Sequence, residues 1–359
     1  MPLVLDGTNG ISGVNGSASS PAFEGTDADS GIFINSANEV NASLNSTPVW
    51  SAVSTFGFKN RIINGAMGIS QRGTSFSTPA NTAYTLDRWF ISWSGAAPAS
   101  VAQVAGPAGF RNALQITGAA SNAFMFLVQR IESLNCSDLS GQTVTLQANI
   151  ATSASQTVYW QLAHPNSQDN YSAATTIAFG TWSTTSTPTT FTATVTGLPA
   201  NVTNGLQLLI SPNNLAGFTS GTFTITGVQL EKGSTATSFD YRPYGTELAL
   251  CQRYLPVIQG SGGTTYGYTG FNASTVLSYF IFTPVVQPRV PPTGITTTAA
   301  SGFQSSDGIT NTTLSSLTFT TANSTQVLFS GAATGLTAFR PCVLGVGGSS
   351  QILFTGCEL

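Results

Sequence analysis

The sequence predicts an all-β protein: an extended N-terminal arm, a β-sandwich, one short linking helix and a second, C-terminal β-sandwich. Three observations lead there. Short runs that alternate apolar and polar residues, or that are rich in β-branched and aromatic residues, recur along most of the chain. Clusters of Gly, Asn, Ser and Pro separate these runs. Helical periodicity is confined to a single stretch.

Residues 1–56 form the arm. Their apolar clusters, "LVL", "GIFI" and "PVW", are short and lie between turn signals such as Asp6-Gly7 and Asn9-Gly10. This is too little apolar material for an independent core, so the segment is expected either to be flexible or to pair with other chains. Residues 57–245 form the first sandwich. Its strands are read at 88–93, 112–117, 123–131, 143–150, 157–163, 189–195, 205–211 and 221–231. Alternation in the first of these places Trp89, Ile91 and Trp93 on one face, toward a core. Residues 246–256 read as the helix: Thr246 can cap it, Glu247 sits in its first turn, Leu248, Cys251 and Leu255 mark one face, and Pro256 stops it. Residues 257–359 return to strand patterning at 275–283, 314–321, 325–331, 340–346 and 351–359, enough for a second sandwich whose last strand carries the C-terminus.

Charge is sparse: 11 Lys and Arg and 14 Asp and Glu in 359 residues, with a net charge of −3. Such a chain lacks the basic footprint of a nucleic-acid binder and the polybasic stretch of a membrane-surface protein. No apolar run is long enough for a transmembrane helix, and the N-terminus has no signal-peptide pattern. Membrane insertion and cofactors are not expected. The spacing of Cys136, Cys251, Cys342 and Cys357 matches no metal motif, so these are expected to be buried free thiols; Cys342 and Cys357 could lie on neighbouring strands. Five charges gather between Gly227 and Leu248, in "GVQLEKGSTATSFDYRPYGTEL". Asp240 and Arg242 point the same way from an extended segment, and are read as an ion pair fixing the junction between domains or chains.

"FKNRIINGAMGISQRGTSF…YTLDRWF" (58–90) and "GVQLEKGSTATSFDYRPYGTELALCQRYL" (227–255) resemble tail-fibre and tail-tip proteins of tailed bacteriophages. Residues 3–34 resemble the stalk sequence by which such proteins join the virion. The resemblance implies a jelly roll like that of carbohydrate-binding modules for 57–245. It also implies a homotrimer, attachment of 1–56 to other virion proteins, and a role in contacting a host-surface glycan. Trimerisation would let the arm bury apolar clusters that one copy cannot. A purely structural head or collar fibre without a receptor is the alternative, and a polysaccharide depolymerase a further one.

Candidate chemistry follows from residue types. The chain has one histidine, His164, in "QLAHPNSQDNY", which reads as a loop after a strand. No G-x-S-x-G elbow accompanies it, so no catalytic residue is assigned. Carboxylates at Asp87, Glu132, Asp138, Asp169, Glu231 and Asp240 could in principle serve glycan cleavage, but structural pairing accounts for them more simply. No solenoid repeat is visible. Glycan binding needs aromatic faces for the apolar faces of sugar rings and short polar groups for their hydroxyls. Two places qualify. One gathers Trp160, His164, Asn166, Asp169, Asn170, Tyr171 and Trp182. The other is a Gly-rich loop, 262–274, that would present Tyr266, Tyr268 and Phe271 farthest from the virion.

Overall fold

The computed structural model describes residues 4–6, 10–12, 17, 19–20, 23–24, 29–34, 40–51, 58–261 and 263–359. It divides into two compact units, Met1–Pro243 and Tyr244–Leu359. The protein is nearly all β, as its patterning predicts.

In the arm, β1 (Val4–Asp6) pairs with β2 (Gly10–Ser12). Strands β3 (Phe23–Glu24), β4 (Gly31–Ile34), β5 (Val40–Leu44) and β6 (Thr47–Ser51) form an antiparallel meander. The turns read at Asp6-Gly7 and Asn9-Gly10 include Gly7 and Asn9, which lie outside the described residues.

The rest of the first unit is a jelly-roll sandwich. Its strands are β7 (Ser75–Ser77), β8 (Phe90–Gly95), β9 (Ser100–Ala105), β10 (Asn112–Thr117), β11 (Asn122–Ile131) and β12 (Val144–Thr152). They continue with β13 (Gln156–Ser167), β14 (Asn170–Thr184), β15 (Thr189–Val195), β16 (Leu206–Ser211) and β17 (Thr222–Lys232). One sheet has the order β15-β12-β17-β10-β9-β7, the other β14-β13-β16-β11-β8, and every pairing is antiparallel. Alternate residues of both sheets meet in one core, including Leu114, Ile116, Leu146 and Ile225 from the first and Leu127, Trp160, Leu162 and Leu208 from the second. Trp89 and Ile91 are buried in it, and Trp93 packs against it.

Two expectations fail here for one reason. Strand β14 was not foreseen, and His164 was read in a loop. The structure instead runs β13 on through His164 and folds β14 back on it as a long hairpin, closed at Gln168-Asp169 with Asp169 at φ +52°. The polar surface of β14 conceals a strand that is buried mainly on one side.

The charged segment ties the two ends of this sandwich together. Asn60 Nδ2 donates to the Val228 carbonyl (3.0 Å), while its Oδ1 accepts from Ile62 N (2.9 Å) and Leu230 N (3.1 Å). Asp240 Oδ2 accepts from Asn60 N (3.2 Å). Arg242 donates to the carbonyls of Asn60 and Ile62, and its guanidinium lies over the Phe58 ring. Asp240 and Arg242 therefore both clasp residues 58–62 within the first unit.

The second unit opens with α1 (Tyr244–Gln252), which begins two residues before the expected Thr246 cap. Pro243 stands directly before it, with φ preset for helix entry and no N–H to satisfy. Strands β18 (Val257–Gln259), β19 (Thr265–Asn272), β20 (Leu277–Phe282), β21 (Gly294–Thr297) and β22 (Phe303–Ser306) follow. Then come β23 (Asn311–Thr313), β24 (Ser316–Ala322), β25 (Val327–Ala332), β26 (Pro341–Val346) and β27 (Gln351–Thr355). A seven-stranded sheet, β23-β22-β26-β19-β20-β25-β24, and a three-stranded sheet, β18-β27-β21, share a core rich in phenylalanine: Phe280, Phe282, Phe303, Phe329 and Phe354. Phe282 and Phe354 stack across the two sheets with centroids 4.6 Å apart.

The predicted Gly-rich loop is mostly strand β19, held between β20 and β26. Gly270 makes room for its neighbours, whereas a Cβ at Gly263 or Gly267 would meet nothing within 4 Å. A Cβ on Gly270 would lie 2.1 Å from the Tyr279 carbonyl oxygen, and Gly345 on β26 is bare because the Tyr266 ring lies over it. Gly262 falls outside the described residues.

All four cysteines are buried and free. Cys342 is on β26, in the seven-stranded sheet, and Cys357 follows β27, in the three-stranded one, so they do not lie on neighbouring strands.

Candidate functional site

The first predicted cluster does not assemble as a surface. Trp160 and Trp182 stack on each other inside the sandwich core, with centroids 6.0 Å apart. Strand alternation sends them inward together with Val158 and Leu162. His164 is buried, with Nδ1 3.0 Å from the Pro165 carbonyl oxygen. Asp169 caps a turn: its carboxylate accepts from Ser133 N (2.7 Å) and Ser133 Oγ (3.0 Å). The Tyr171 hydroxyl is shared between the carbonyls of Ile131 (2.7 Å) and Leu206 (3.0 Å), and Arg130 lies over its ring. Burial raises the Tyr171 hydroxyl far above its ordinary pKa, so it remains a donor. Asn166 and Asn170 are exposed.

The carboxylates considered for glycan cleavage are engaged in structure. Asp87 accepts from Gln71 N (2.6 Å) and Gln71 Nε2 (2.7 Å). Glu231 accepts from Gln229 Nε2 and Thr237 N (both 2.8 Å) and from Thr237 Oγ1 (2.6 Å). Asp138 pairs with Arg61 at 2.8 Å. Glu132 is buried.

In the second unit the outcome is mixed. Tyr266 is 42% exposed and donates to Gln304 Oε1 (3.1 Å); Phe271 is 50% exposed and packs on Tyr279. Tyr268 turns inward instead, edge-on to Phe282 against the core, because a β-bulge between Tyr266 and Tyr268 shifts the register. Burial raises its hydroxyl pKa.

The residues that do assemble were missed in the sequence. The outward face of the five-stranded sheet carries a row in register across every strand: Phe179, Gln161, Leu209, Val128 and Phe90. At the β8 edge the row is closed, since Phe90 is buried between Tyr84 (centroids 5.2 Å apart) and the Arg130 guanidinium (4.8 Å). At the β14 edge it is open. There Phe179 is 67% exposed, with its ring stacked at 27° on Tyr159 (5.9 Å). The Tyr159 hydroxyl donates to Gln161 Oε1 (2.9 Å), and Gln161 Nε2 donates to Thr176 Oγ1 (2.8 Å). The amide is thus locked in orientation, yet keeps one N–H and one lone pair for a partner. Burial raises the Tyr159 hydroxyl pKa, keeping it a donor at ordinary pH. Phe179 could have been suspected from alternation: it lies three positions from Trp182, an odd offset that puts the two on opposite faces, so one of them must face out. The signal was lost because β14 was not recognised as a strand.

No protein-family profile and no curated protein matches this chain. Solved structures similar to it include a CBM4 module, at 18% identity over 47% of this chain and 98% of that one, TM-score 0.33. The enzymatically active domain of bacteriophage CBA120 tailspike protein 4 aligns at 14% identity over 49% of this chain and 22% of that one, TM-score 0.33. TmCBM61, in complex with β-1,4-galactotriose, aligns at 11% identity over 48% and 99%, TM-score 0.31. Likeness at this level identifies no ligand.

Proposed function

We propose that this protein is a non-enzymatic bacteriophage fibre component that attaches to a host surface by binding glycan. Glycan binding rests on one observation: the exposed Phe179 ring, backed by Tyr159, stands beside the amide of Gln161 on a rigid sheet. An aromatic face accepts the C–H face of a sugar ring, and a fixed amide beside it bonds the hydroxyls at the ring's edge. The fibre assignment rests on the resemblance of 3–34, 58–90 and 227–255 to phage tail proteins. A trimer would multiply a weak site, since linked copies bind with high effective concentration once geometry allows simultaneous contact. The Tyr266–Gln304 pair repeats the aromatic–amide combination in the second unit.

The test is retention of the full chain on host-surface polysaccharide in affinity electrophoresis, with Phe179→Ala beside it. Retention should be observed, and Phe179→Ala should weaken it about tenfold, the equivalent of about 1.4 kcal/mol. A folded Phe179→Ala protein that is retained like the parent removes this face as the site. Release of reducing sugar during the experiment would replace adhesion by depolymerisation.

A further inference from the structure

A cavity of about 520 Å³ opens where β13 begins, β14 ends and the chain leaves β16. Of its nine lining residues only Ala216 lacks a hydroxyl or amide side chain, and none is charged. Some of the polar groups serve the fold. Thr184 Oγ1 donates to the Gln156 carbonyl (3.1 Å), and Asn213 Nδ2 to the Gly217 carbonyl (2.9 Å). Ser155, Gln156, Thr157, Ser183 and Asn214 make no side-chain hydrogen bond among the described residues, so their donors and acceptors are left to whatever enters.

The cavity is continuous with the aromatic face. Thr157 pairs with Ser183, Tyr159 with Thr181 and Gln161 with Phe179. Residues two apart on a strand share a face, so 157, 159 and 161 on β13 and 183, 181 and 179 on β14 point to the same side. From Phe179 to Ser183 the strand advances about 13 Å. One surface thus passes from an aromatic platform to a polar hollow within a distance that exceeds one hexose ring.

We propose that this cavity is a second subsite for a neutral, hydroxyl-rich ligand: the continuation of an oligosaccharide whose first ring rests on Phe179. The inference rests on the glycan reading of the sheet face and adds to it the ligand's charge class and its direction along the β13–β14 hairpin. Open hydroxyls and amides exchange hydrogen bonds with sugar hydroxyls in either sense. A carboxylated or phosphorylated sugar would find no Lys or Arg in the cavity to offset its desolvation.

The test uses the full-length protein on an array of neutral and acidic oligosaccharides graded from mono- to hexasaccharide, followed by titration calorimetry with the bound series. Wild type is compared with Gln156→Ala/Ser183→Ala, with Ser155→Tyr, which fills the hollow from its exposed rim, and with Phe179→Ala. Tryptophan fluorescence confirms folding of each. Wild type should bind neutral chains with an affinity that rises with length. Both cavity variants should cancel that rise, lowering affinity for the longer chains about tenfold and leaving the shortest unchanged. An unchanged length dependence in two folded cavity variants overturns the subsite but leaves the face intact. Exclusive binding of acidic chains overturns it as well. Loss of binding in the cavity variants with none in Phe179→Ala overturns the face, and with it the path proposed here. Absence of any neutral ligand removes both.

Discussion

Gly205 offers a sharp test of whether Tyr171 is a structural or a binding residue. It stands at φ +125°, ψ 174°, a conformation open essentially to glycine alone. A Cβ built there would lie 2.4 Å from the Tyr171 hydroxyl and 3.1 Å from the Ile131 carbonyl oxygen. Gly205→Ala therefore meets two costs. Backbone strain contributes about 1–3 kcal/mol. Displacement of the tyrosine hydroxyl from the Ile131 and Leu206 carbonyls contributes about 1–3 kcal/mol more, because those buried acceptors lose their donor. Tyr171→Phe alone deletes the same hydroxyl and should cost about 1–2 kcal/mol. In the double variant the colliding oxygen is gone, so the total should fall short of the sum by about 1–3 kcal/mol. The assay is urea unfolding followed by tryptophan fluorescence. The five tryptophans are Trp50, Trp89, Trp93, Trp160 and Trp182, all before the second unit begins, so the signal reports the first. Additivity within about 0.5 kcal/mol would show that Gly205 and Tyr171 do not contend for one space. Tyr171→Phe should also leave glycan affinity unchanged.

Four further outcomes are expected. Phe179→Ala should change stability by less than about 0.5 kcal/mol, since the ring is mostly in solvent, while its effect appears in binding; a large fall in the unfolding midpoint would count against a purely surface role. Arg242→Ala should destabilise the first unit by about 1–3 kcal/mol and expose residues 58–62 to protease, because two carbonyls and the Phe58 ring lose one partner; an unchanged cleavage pattern would mark Arg242 as dispensable. Burial pushes the Cys136 thiol up to about 12 and Cys357 to about 11, from an ordinary 9.0. The resulting stability is fully present below pH 9 and is lost as pH rises through those folded-state values, so alkaline unfolding should coincide with thiol reactivity toward Ellman's reagent; fast labelling of the native protein at pH 8 would contradict it. The full chain should sediment as a homotrimer, and a monomer in analytical ultracentrifugation would remove the fibre reading.

Several features were legible without a structure because they depend on local pattern. β10 and β15 run over the residues that alternation marks, Asn112–Thr117 and Thr189–Val195, since a strand with one buried face must alternate. Burial of the cysteines followed from their chemistry and the lack of metal spacing. What tertiary structure decided was orientation. Trp160 and Trp182 could be read as sugar platforms or as core, because composition does not say which side of a strand a side chain leaves from; pairing of β13 with β14 and β16 put them inside. The glycines of 262–274 read as freedom, but Gly270, in β19 between β20 and β26, is an absence of side chain that lets the Tyr279 carbonyl and the Phe280 ring approach. The row Phe179–Gln161–Leu209 could not be seen in the sequence at all, because its members come from three strands and become neighbours only through hydrogen-bond register between distant segments.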